Sequence, residues 1–593
     1  MKVKVSPSIF PVGAIIAFLL LPVAAPASMP IMPLSDIKAG MKGEWHTVVS
    51  GQRIDTFPMQ VVGIARNFIG PKRPVIICKG LDPANILTGP VAGMSGSPVF
   101  IHGKLIGAYA YGFFLPKKQD IFGVTPIEQM LEVESNYPPA PATEGWAQGN
   151  MAGGPEWLSG PAADGAPSLP DLQSAMRPLP TPLFVSGVPA AVLARFSSRL
   201  AALGLQVMQA PSGPAPAMDM DTNLQPGSAV SGVLMSGDFD FAGTGTVTWR
   251  DGNRILAFGH PFLEGGPEEM PMAPAEIITV VQSYLESFKL PNIGPIIGTI
   301  YQDRLTGIAG EIGRKPRTTH VEVHLQAPGG KTRTFQGEMF QNPMISPMLT
   351  AITLFGSFYA TVEARQQRTI FLKTTLTVPG YKPVELSDAA SGMSGGFDLA
   401  IRQMMLYAAL LNNPCKFPDV ASLTFDARQA DGEKASWLQS LDIDQNIAAP
   451  GDTLHAVIGL RNYHGEPSAI PVSVPIPPDL QPGQVQLFVG DADAALRMDE
   501  PPPVPPQSFA QVLDRLRLTR SHQDICVKLV EMTPGLAVEG TNLPDLPPSV
   551  MAQFQSPNAT EQIPTLSRVT LWETNLPVAG TFSGEMTLPV RIK

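Results

Sequence analysis

The residues with the clearest capacity for chemistry form a turn of small side chains around one serine. Residues 93–98 read Gly-Met-Ser-Gly-Ser-Pro, and a short apolar strand at 99–101 comes directly after them. Glycines on both sides of Ser95 let the backbone turn sharply and leave its hydroxyl unobstructed. They also free nearby N–H groups to face a developing oxyanion. These are the requirements of an acyl-transfer nucleophile, although glycine and serine also cluster in ordinary turns.

A histidine in a similar setting is the candidate general base. His260 follows an apolar strand at 254–258 and Gly259, in a turn that Pro261 restricts. A histidine at the end of a strand on a rigid scaffold is well placed to accept a proton. A turn histidine bonded to the backbone is the alternative. The other histidines lie in polar or alternating segments or at a hairpin tip: His46, His102, His320, His324, His455, His464 and His522.

The nucleophile string occurs a second time in a different context. Residues 392–396 read Gly-Met-Ser-Gly-Gly, but a helix is predicted at 397–411 where a strand follows Ser95. Capping of that helix by Ser394 or Asp398 is the favoured interpretation of this second string.

The elements that must position Ser95 and His260 are short strands. About six strands are predicted between residues 40 and 127, which is typical of a small closed barrel, and a helix is predicted at 126–132. We therefore assign 35–135 as a serine-bearing β-barrel half. Residues 231–395 are again rich in predicted strands, two of them joined by an Asp-Gly hairpin turn, and form the histidine-bearing barrel half.

A chain of 593 residues is too long for a single hydrophobic core, so further units are expected. Residues 136–230 are rich in proline and glycine and are predicted to be a linker with one amphipathic helix at 188–203. Residues 396–593 are predicted to form a helix and a C-terminal β-sandwich-like domain. The fold class is therefore mainly β.

The N-terminus has the pattern of a secretion signal. Lys2 and Lys4 precede an apolar run at 12–25, and Ala-Pro-Ala at 25–27 offers small residues for cleavage. Residues 1–27 are thus predicted to be a signal peptide, with an uncleaved anchor as the alternative. The expected location is the periplasm, the cell envelope or the medium, with no integral membrane span after signal removal.

Composition limits the partners. The net charge of −10 argues against nucleic acid or an anionic lipid surface as the main partner. The three cysteines, Cys78, Cys415 and Cys526, have no metal-ligand spacing, and Cys78 lies in an apolar run. The sequence allows a disulfide between Cys415 and Cys526 in an oxidising compartment but does not establish one. Nothing in the sequence requires a metal or an organic cofactor.

Several of these segments resemble the SpoIVB-type serine peptidases, the sporulation stage IV protein B family. The family's histidine motif, a strand ending in Ala-x-Gly-His, is similar to residues 257–260, and in the family the histidine half precedes the serine half. The two halves therefore occur here in swapped order. The other matching segments are 93–98, 103–108 (Gly-Lys-Leu-Ile-Gly-Ala), 123–131 (Gly-Val-Thr-Pro-Ile-Glu-Gln-Met-Leu), 302–304 (Gln-Asp-Arg) and 307–310 (Gly-Ile-Ala-Gly).

The resemblance implies an exported serine endopeptidase with a chymotrypsin-like double β-barrel. By position, it makes Ser95 the nucleophile and His260 the general base, and Asp82 best matches the family's acidic residue. Asp82 would orient the imidazole and stabilise its charged form. The N–H groups of Gly93 and Ser95 are the expected oxyanion donors. The histidine half offers three rivals to Asp82: Asp238, Asp240 and Asp251.

These features are compatible with two functions. The first is an active serine endopeptidase that acts on a protein or peptide substrate. The second is a catalytically inactive peptidase-like scaffold or binding protein of the cell envelope. The presence of both Ser95 and His260 in matching motifs favours the enzyme.

Overall fold

A computed structural model of the chain shows a mainly β fold, as the sequence predicts. The predicted signal peptide, residues 1–27, lies outside the described residues, and so does the first part of the predicted linker, residues 137–175. The described residues are 29–83, 88–113, 120–136, 176–210, 220–283, 286–361, 367–499, 506–533, 535–538, 541–544, 546–554 and 565–593.

The first sheet closes into a six-stranded antiparallel barrel beside the serine turn. Around the ring its strands follow the chain order first, second, third, sixth, fifth, fourth, and the fourth pairs with the first. Large side chains such as Trp45, Tyr109 and Phe122 fill its core. The barrel that the sequence predicts at 40–127 is present. Its strands are β1 (Lys42–Val48), β2 (Ile54–Gly70), β3 (Arg73–Gly80), β5 (Ser97–Ile101), β6 (Lys104–Gly112) and β7 (Ile121–Pro126), with the short β4 (Val91–Ala92) before β5, β8 (Arg177–Pro178) at the edge beside β6, and the helix α1 (Ile127–Asn136) after β7.

Six strands of the second sheet also pair into a ring. Every pairing in it is antiparallel, and the chain order around it is again first, second, third, sixth, fifth, fourth. Most residues of its first two strands are buried, because they face the ring interior on one side and other packed layers on the other. The strands are β11 (Ala229–Gly237), β12 (Asp240–Asp251), β13 (Arg254–Ala257), β14 (Gly266–Val281), β16 (Gly298–Arg304) and β17 (Gly307–Ile312), with β15 (Ser287–Ile293) between β14 and β16.

The second part of the predicted linker is folded onto this ring. β9 (Leu183–Ser186) pairs with β12 and with β10 (Val207–Gln209). The helix predicted at 188–203 is present as α2 (Ala190–Ala202), and Val192 and Phe196 on its apolar face are buried in the ring's core. This segment differs from the predicted linker because its apolar face finds a core to pack against.

The second unit also extends further than residue 395. The helix expected at 397–411 is present as α4 (Gly395–Leu411), and it packs against α3 (Ser346–Thr361) and shares the core of the second ring. The second sheet continues through β18 (Thr318–Gln326), β19 (Thr332–Phe340), β20 (Arg368–Thr377), β21 (Val384–Ser391) and β22 (Ser422–Asp431).

The C-terminal residues form two main sheets that share one apolar core, the arrangement of a β-sandwich. A smaller three-stranded sheet lies beside them in the chain. The elements are β23 (Ala435–Ile443), β24 (Ile447–Ala448), β25 (Thr453–Asn462), β26 (Ser468–Pro475), β27 (Gly483–Gly490), α5 (Ala492–Met498), α6 (Phe509–Arg517), β28 (Asp524–Glu531), β29 (Gly535–Val538), β30 (Thr541–Pro544), α7 (Pro548–Phe554), β31 (Thr565–Leu566), β32 (Val569–Pro577), β33 (Thr581–Ser583) and β34 (Glu585–Ile592).

All three cysteines are free. Cys78 is buried in the first barrel, as its apolar neighbours predict. Cys415 donates to the Pro506 carbonyl, whereas Cys526 is contacted by Arg520, so the disulfide left open by the sequence is not formed. Among the described residues, no helix combines the length and the apolar character needed to cross a membrane.

Candidate active site

The serine turn, residues 93–97, connects β4 to β5 and is held by its own hydrogen bonds. The N–H and the hydroxyl of Ser97 both donate to the Met94 carbonyl, at 3.0 and 2.6 Å. Gly93 and Gly96 have φ angles of 89° and 94°, in the left-handed region that glycine adopts without strain. The sharp turn predicted from the two glycines is therefore present.

The serine turn docks on β12 of the second ring. The N–H of Thr246 donates to the Ser95 carbonyl at 2.8 Å, and its hydroxyl donates to the Gly93 carbonyl at 3.2 Å. The Thr248 hydroxyl donates to the Gly96 carbonyl at 2.7 Å. A Cβ at position 96 would overlap the Thr246 carbonyl oxygen, so this contact requires glycine.

The histidine turn, residues 258–261, follows β13 and docks in return on the first barrel. Phe258 has a φ of 69°, which is strained for a residue with a Cβ. The Gly259 carbonyl accepts a hydrogen bond from the Thr125 hydroxyl at 2.6 Å. A Cβ at position 259 would lie 2.7 Å from the Cβ of Ala108, so glycine is required for this close approach as well.

The His260 ring is oriented by the backbone. Its Nδ1 lies 2.7 Å from the Pro261 carbonyl oxygen, which can only accept, so Nδ1 carries the proton and Nε2 is the basic atom. The residue is 2% exposed, and among the described residues its Nε2 has no hydrogen-bond partner. Burial lowers the pKa of His260 from its ordinary value of 6.5 to about 4. The imidazole is therefore neutral at pH 7 with its lone pair on Nε2.

Ser95 is equally enclosed. It is fully buried, and its Oγ has no hydrogen-bond partner in the ranges that the structure describes. Within the described part of the chain, the Ser95 N–H also donates to no acceptor. Buried N–H groups and hydroxyls are nearly always paired, so an unpaired donor at the turn is a candidate ligand contact.

The two turns touch, but their side chains do not bond in this conformation. A Cβ at Gly96 would lie 2.5 Å from the backbone nitrogen of Phe258, two residues before His260. Because neither Ser95 Oγ nor His260 Nε2 has a partner, no hydrogen bond joins them. The first barrel and the second ring thus bring the two predicted residues into adjacent turns and leave Ser95 Oγ and His260 Nε2 without a bonded partner.

In this structure no hydrogen bond joins Asp82 to the His260 ring. Asp82 lies just after β3, and the His260 Nδ1 proton goes to the Pro261 carbonyl. No hydrogen bond joins His260 to any of the rival carboxylates either. Asp238 accepts from the Gln336 N–H, Asp240 from the Ser186 hydroxyl and the Gly237 N–H, and Asp251 pairs with Arg254.

Asp303 is a further candidate for a role at this site. The only sequence signal for it is its place in the Gln-Asp-Arg segment at 302–304, one of the segments that carry the resemblance. Its fully buried carboxylate accepts hydrogen bonds from the N–H groups of three consecutive residues, 262–264, directly after the histidine turn. Burial raises the pKa of Asp303 to about 6, and these N–H groups oppose that rise. Asp303 therefore anchors the segment that leads away from His260.

Lys289 is a second residue that sequence patterns do not single out. It is fully buried on β15 beside the serine turn, and its Nζ donates to the hydroxyls of Thr47 and Thr246. Burial lowers the pKa of Lys289 to about 7. The only sequence signal is a lysine within a mostly apolar strand, which is weak evidence without knowledge of the neighbouring strands.

The second serine string is in a different environment. Ser394 is exposed at the start of α4, and its Oγ donates to the Asp398 carboxylate at 2.7 Å. The helix start predicted here is present and Ser394 stands at its N-cap position, but the side-chain capping hydrogen bond expected of Ser394 is not formed.

Among the described residues, no group of three or more histidine, cysteine, aspartate or glutamate side chains is arranged to hold a metal ion. Comparison of the chain with models of known protein families, with curated proteins and with solved structures finds no match.

Proposed function

We propose that this chain is an exported serine endopeptidase with a chymotrypsin-like double β-barrel, as its resemblance to the SpoIVB-type peptidases implies. Ser95 is the nucleophile and His260 is the general base. The observation that carries the proposal is the pair of buried, partnerless atoms, Ser95 Oγ and His260 Nε2, on two turns that touch between the barrels.

The equivalent positions of the two turns support the double-barrel assignment. Both rings have the same strand order, and each turn lies between the third and the fourth strand of its own ring. Each turn also docks on the opposite ring through a glycine that no other residue can replace without a clash. Such reciprocal docking does not depend on which half comes first in the chain, so the swapped order is compatible with catalysis.

The proton on His260 Nδ1 leaves Nε2 as the basic atom, and this assignment sets the chemical steps. His260 Nε2 takes the proton of Ser95 as Oγ bonds to the substrate carbonyl carbon, and the carbonyl electron pair moves onto oxygen. The Ser95 N–H, together with that of Gly93, would stabilise this oxyanion. Collapse of the intermediate breaks the C–N bond, and the imidazolium gives its proton to the leaving amine. Water then repeats the sequence on the acyl-enzyme.

The backbone supplies part of what a triad acid supplies. The Pro261 carbonyl holds the Nδ1 proton of His260 and so selects the reactive tautomer. A neutral carbonyl stabilises an imidazolium less than a carboxylate does. Asp82 remains the acid that the resemblance implies, and its contribution is measured directly by an Asp82→Asn variant.

An inactive scaffold is the second candidate, and one observation favours it. Ser95 and His260 are both closed off from solvent, so a substrate could reach them only after part of the covering structure moves. A scaffold would keep Ser95 and His260 closed off from solvent, whereas an enzyme would have to expose them to its substrate.

Fluorophosphonate labelling of the full-length protein separates the two. We expect covalent labelling mapped to Ser95 by mass spectrometry, complete loss in Ser95→Ala, and at least ~10³-fold slower labelling in His260→Ala. Ser394→Ala is the matched control and should label like the parent protein. Labelling that persists in Ser95→Ala would overturn the nucleophile, and a folded parent protein that never labels would favour the scaffold.

A further inference from the structure

Lys289 lies directly against the backbone of the serine turn. β15 runs parallel to β4, with Ser287 opposite Val91 and Phe288 opposite Ala92, so Lys289 comes level with the start of the turn. A Cβ at Gly93 would lie 3.3 Å from the Cβ of Lys289 and 3.5 Å from its Cδ. The lysine stem therefore packs on the turn that presents Ser95.

The lysine head group links the two barrels. Its Nζ donates to the Thr47 hydroxyl on β1 at 2.7 Å and to the Thr246 hydroxyl on β12 at 3.2 Å. Thr246 in turn donates to the carbonyls of Gly93 and Ser95. A single threonine, Thr246, thus connects the Lys289 nitrogen to the Gly93 and Ser95 carbonyls of the serine turn.

Lys289 differs from Lys528, the second lysine that is fully buried among the described residues. The Lys528 ammonium contacts the carboxylates of Asp499 and Glu573, so its charge is balanced in place. In the described part of the chain, no carboxylate lies within ion-pair distance of Lys289. Burying a charge without a counter-ion is costly. The fold nevertheless keeps this lysine beside the serine turn.

We propose that Lys289 is a positioning residue whose ammonium, acting through Thr246 and the serine turn, is the counter-charge for the oxyanion formed during acyl transfer at Ser95. This inference rests on the proposed function. The cation is preorganised in a site closed to water, where a fixed charge stabilises a developing negative charge far better than it does in solvent. The tetrahedral intermediate then provides the anion that the resting site lacks.

This role predicts an alkaline limb in the rate profile. The groups that meet the Lys289 nitrogen are the hydroxyls of Thr47 on β1 and Thr246 on β12. Neither neighbour on the remaining elements carries a charge, because Lys289 lies opposite Val280 on β14 and against Gly93 in the serine turn. His46, next to Thr47 on β1, pairs with Glu44 instead. Burial alone lowers the pKa of Lys289 to about 7. The ammonium is lost above that pH, so the rate should fall as pH rises through it.

The experiment measures fluorophosphonate labelling of Ser95 from pH 5 to pH 10 in the full-length protein and in Lys289→Met. We expect the parent rate to fall above about pH 7. The Lys289→Met rate should be about 10- to 100-fold lower at pH 6 and should lack that fall. The variant should be no less stable than the parent protein, because methionine removes an uncompensated buried charge. Lys528→Met is the control. It strands two carboxylates and should lose stability without altering the pH profile.

Each other outcome decides against a part of the proposal. An unchanged profile in Lys289→Met, with Ser95 still labelled, overturns the lysine and leaves the proposed function standing. A parent protein that never labels overturns both. A rate that rises through pH 7 and disappears in Lys289→Met would make the neutral amine a base. If Lys289→Met does not fold, Thr246→Val keeps the lysine but removes its link to Gly93, and an unchanged labelling rate there contradicts the inference.

Discussion

The tetrapeptide Gly-Met-Ser-Gly occurs at 93–96 and again at 392–395, and the two copies have opposite environments. Both begin with a glycine in the left-handed region, with φ of 89° and 90°. Ser95 is fully buried with no partner for its hydroxyl, whereas Ser394 is exposed and bonded to Asp398. The same tetrapeptide therefore begins with a left-handed glycine in both places. The surrounding structure decides whether the serine hydroxyl is buried and unbonded or exposed and bonded.

The difference arises from the element after each turn and from the structure packed against it. The first turn continues into a barrel strand and is held by three hydrogen bonds from Thr246 and Thr248 of the second ring. The second continues into α4, and the N–H of its first glycine, Gly392, donates to the Arg368 carbonyl of β20, a strand of the same sheet as the β21 strand that precedes this turn. Burial between the first barrel and the second ring is thus the property that distinguishes the candidate nucleophile from its copy.

The largest contrast is expected when the glycine after each serine becomes alanine. In Gly96→Ala the new Cβ overlaps the Thr246 carbonyl, so we expect a loss of about 3 kcal/mol in unfolding free energy and about 10³-fold slower Ser95 labelling. In Gly395→Ala the nearest atom is 3.1 Å away and alanine favours the helix, so the change should stay within about 1 kcal/mol. Denaturant unfolding with parallel labelling measures both. Equal stability of the two variants would contradict the docking of the first turn.

Burial between the first barrel and the second ring should also set the acid limit of the proposed reaction. His260 must be neutral to accept the Ser95 proton, and burial lowers its pKa to about 4. Activity should therefore persist down to about pH 5 and fall near pH 4. A histidine of ordinary pKa would already have lost about 30-fold at pH 5. Labelling of Ser95 across pH 3.5–7 measures this limb, and a midpoint near 6.5 would mean that the site is open to water.

The first glycines of the two copies form a matched pair. Alanine at either position costs about 1–2 kcal/mol for the left-handed backbone. At Gly93 the new Cβ would also approach Lys289 to 3.3 Å, whereas at Gly392 the nearest atom is 3.6 Å away. We expect Gly93→Ala to be about 1 kcal/mol more destabilising than Gly392→Ala in denaturant unfolding. No difference between the two would show that Lys289 does not pack against the turn.

The smallest effect is expected at the second serine itself. Ser394→Ala removes one exposed hydrogen bond to Asp398 and no buried contact, so the unfolding free energy should change by about 0.5 kcal/mol at most. Peptide hydrolysis and Ser95 labelling should be unaffected. A loss of activity in this variant would show that the wrong serine has been assigned.

Much of the fold around the site could be predicted from short-range pattern. The six strands of the first barrel, the helix after it and the helix after Ser394 are indicated by alternation, helical spacing and turn residues. The linker boundary could not be predicted this way. Residues 183–209 are flanked by proline- and glycine-rich chain, and only the core of the second ring turns their apolar side chains into buried ones.

Neighbours along the chain are enough to place Ser95 in a glycine turn before a strand and His260 at the end of another, because turns and strand ends are local structures. How each turn is held depends instead on residues far away in the chain. The hydrogen bonds from Thr246 to Gly93 and from Thr248 to Gly96 join residues 153 and 152 positions apart. The place of Lys289 beside Gly93 likewise depends on strands brought together by the core. Local pattern carries no information about such long-range contacts, so they could be found only in the folded chain.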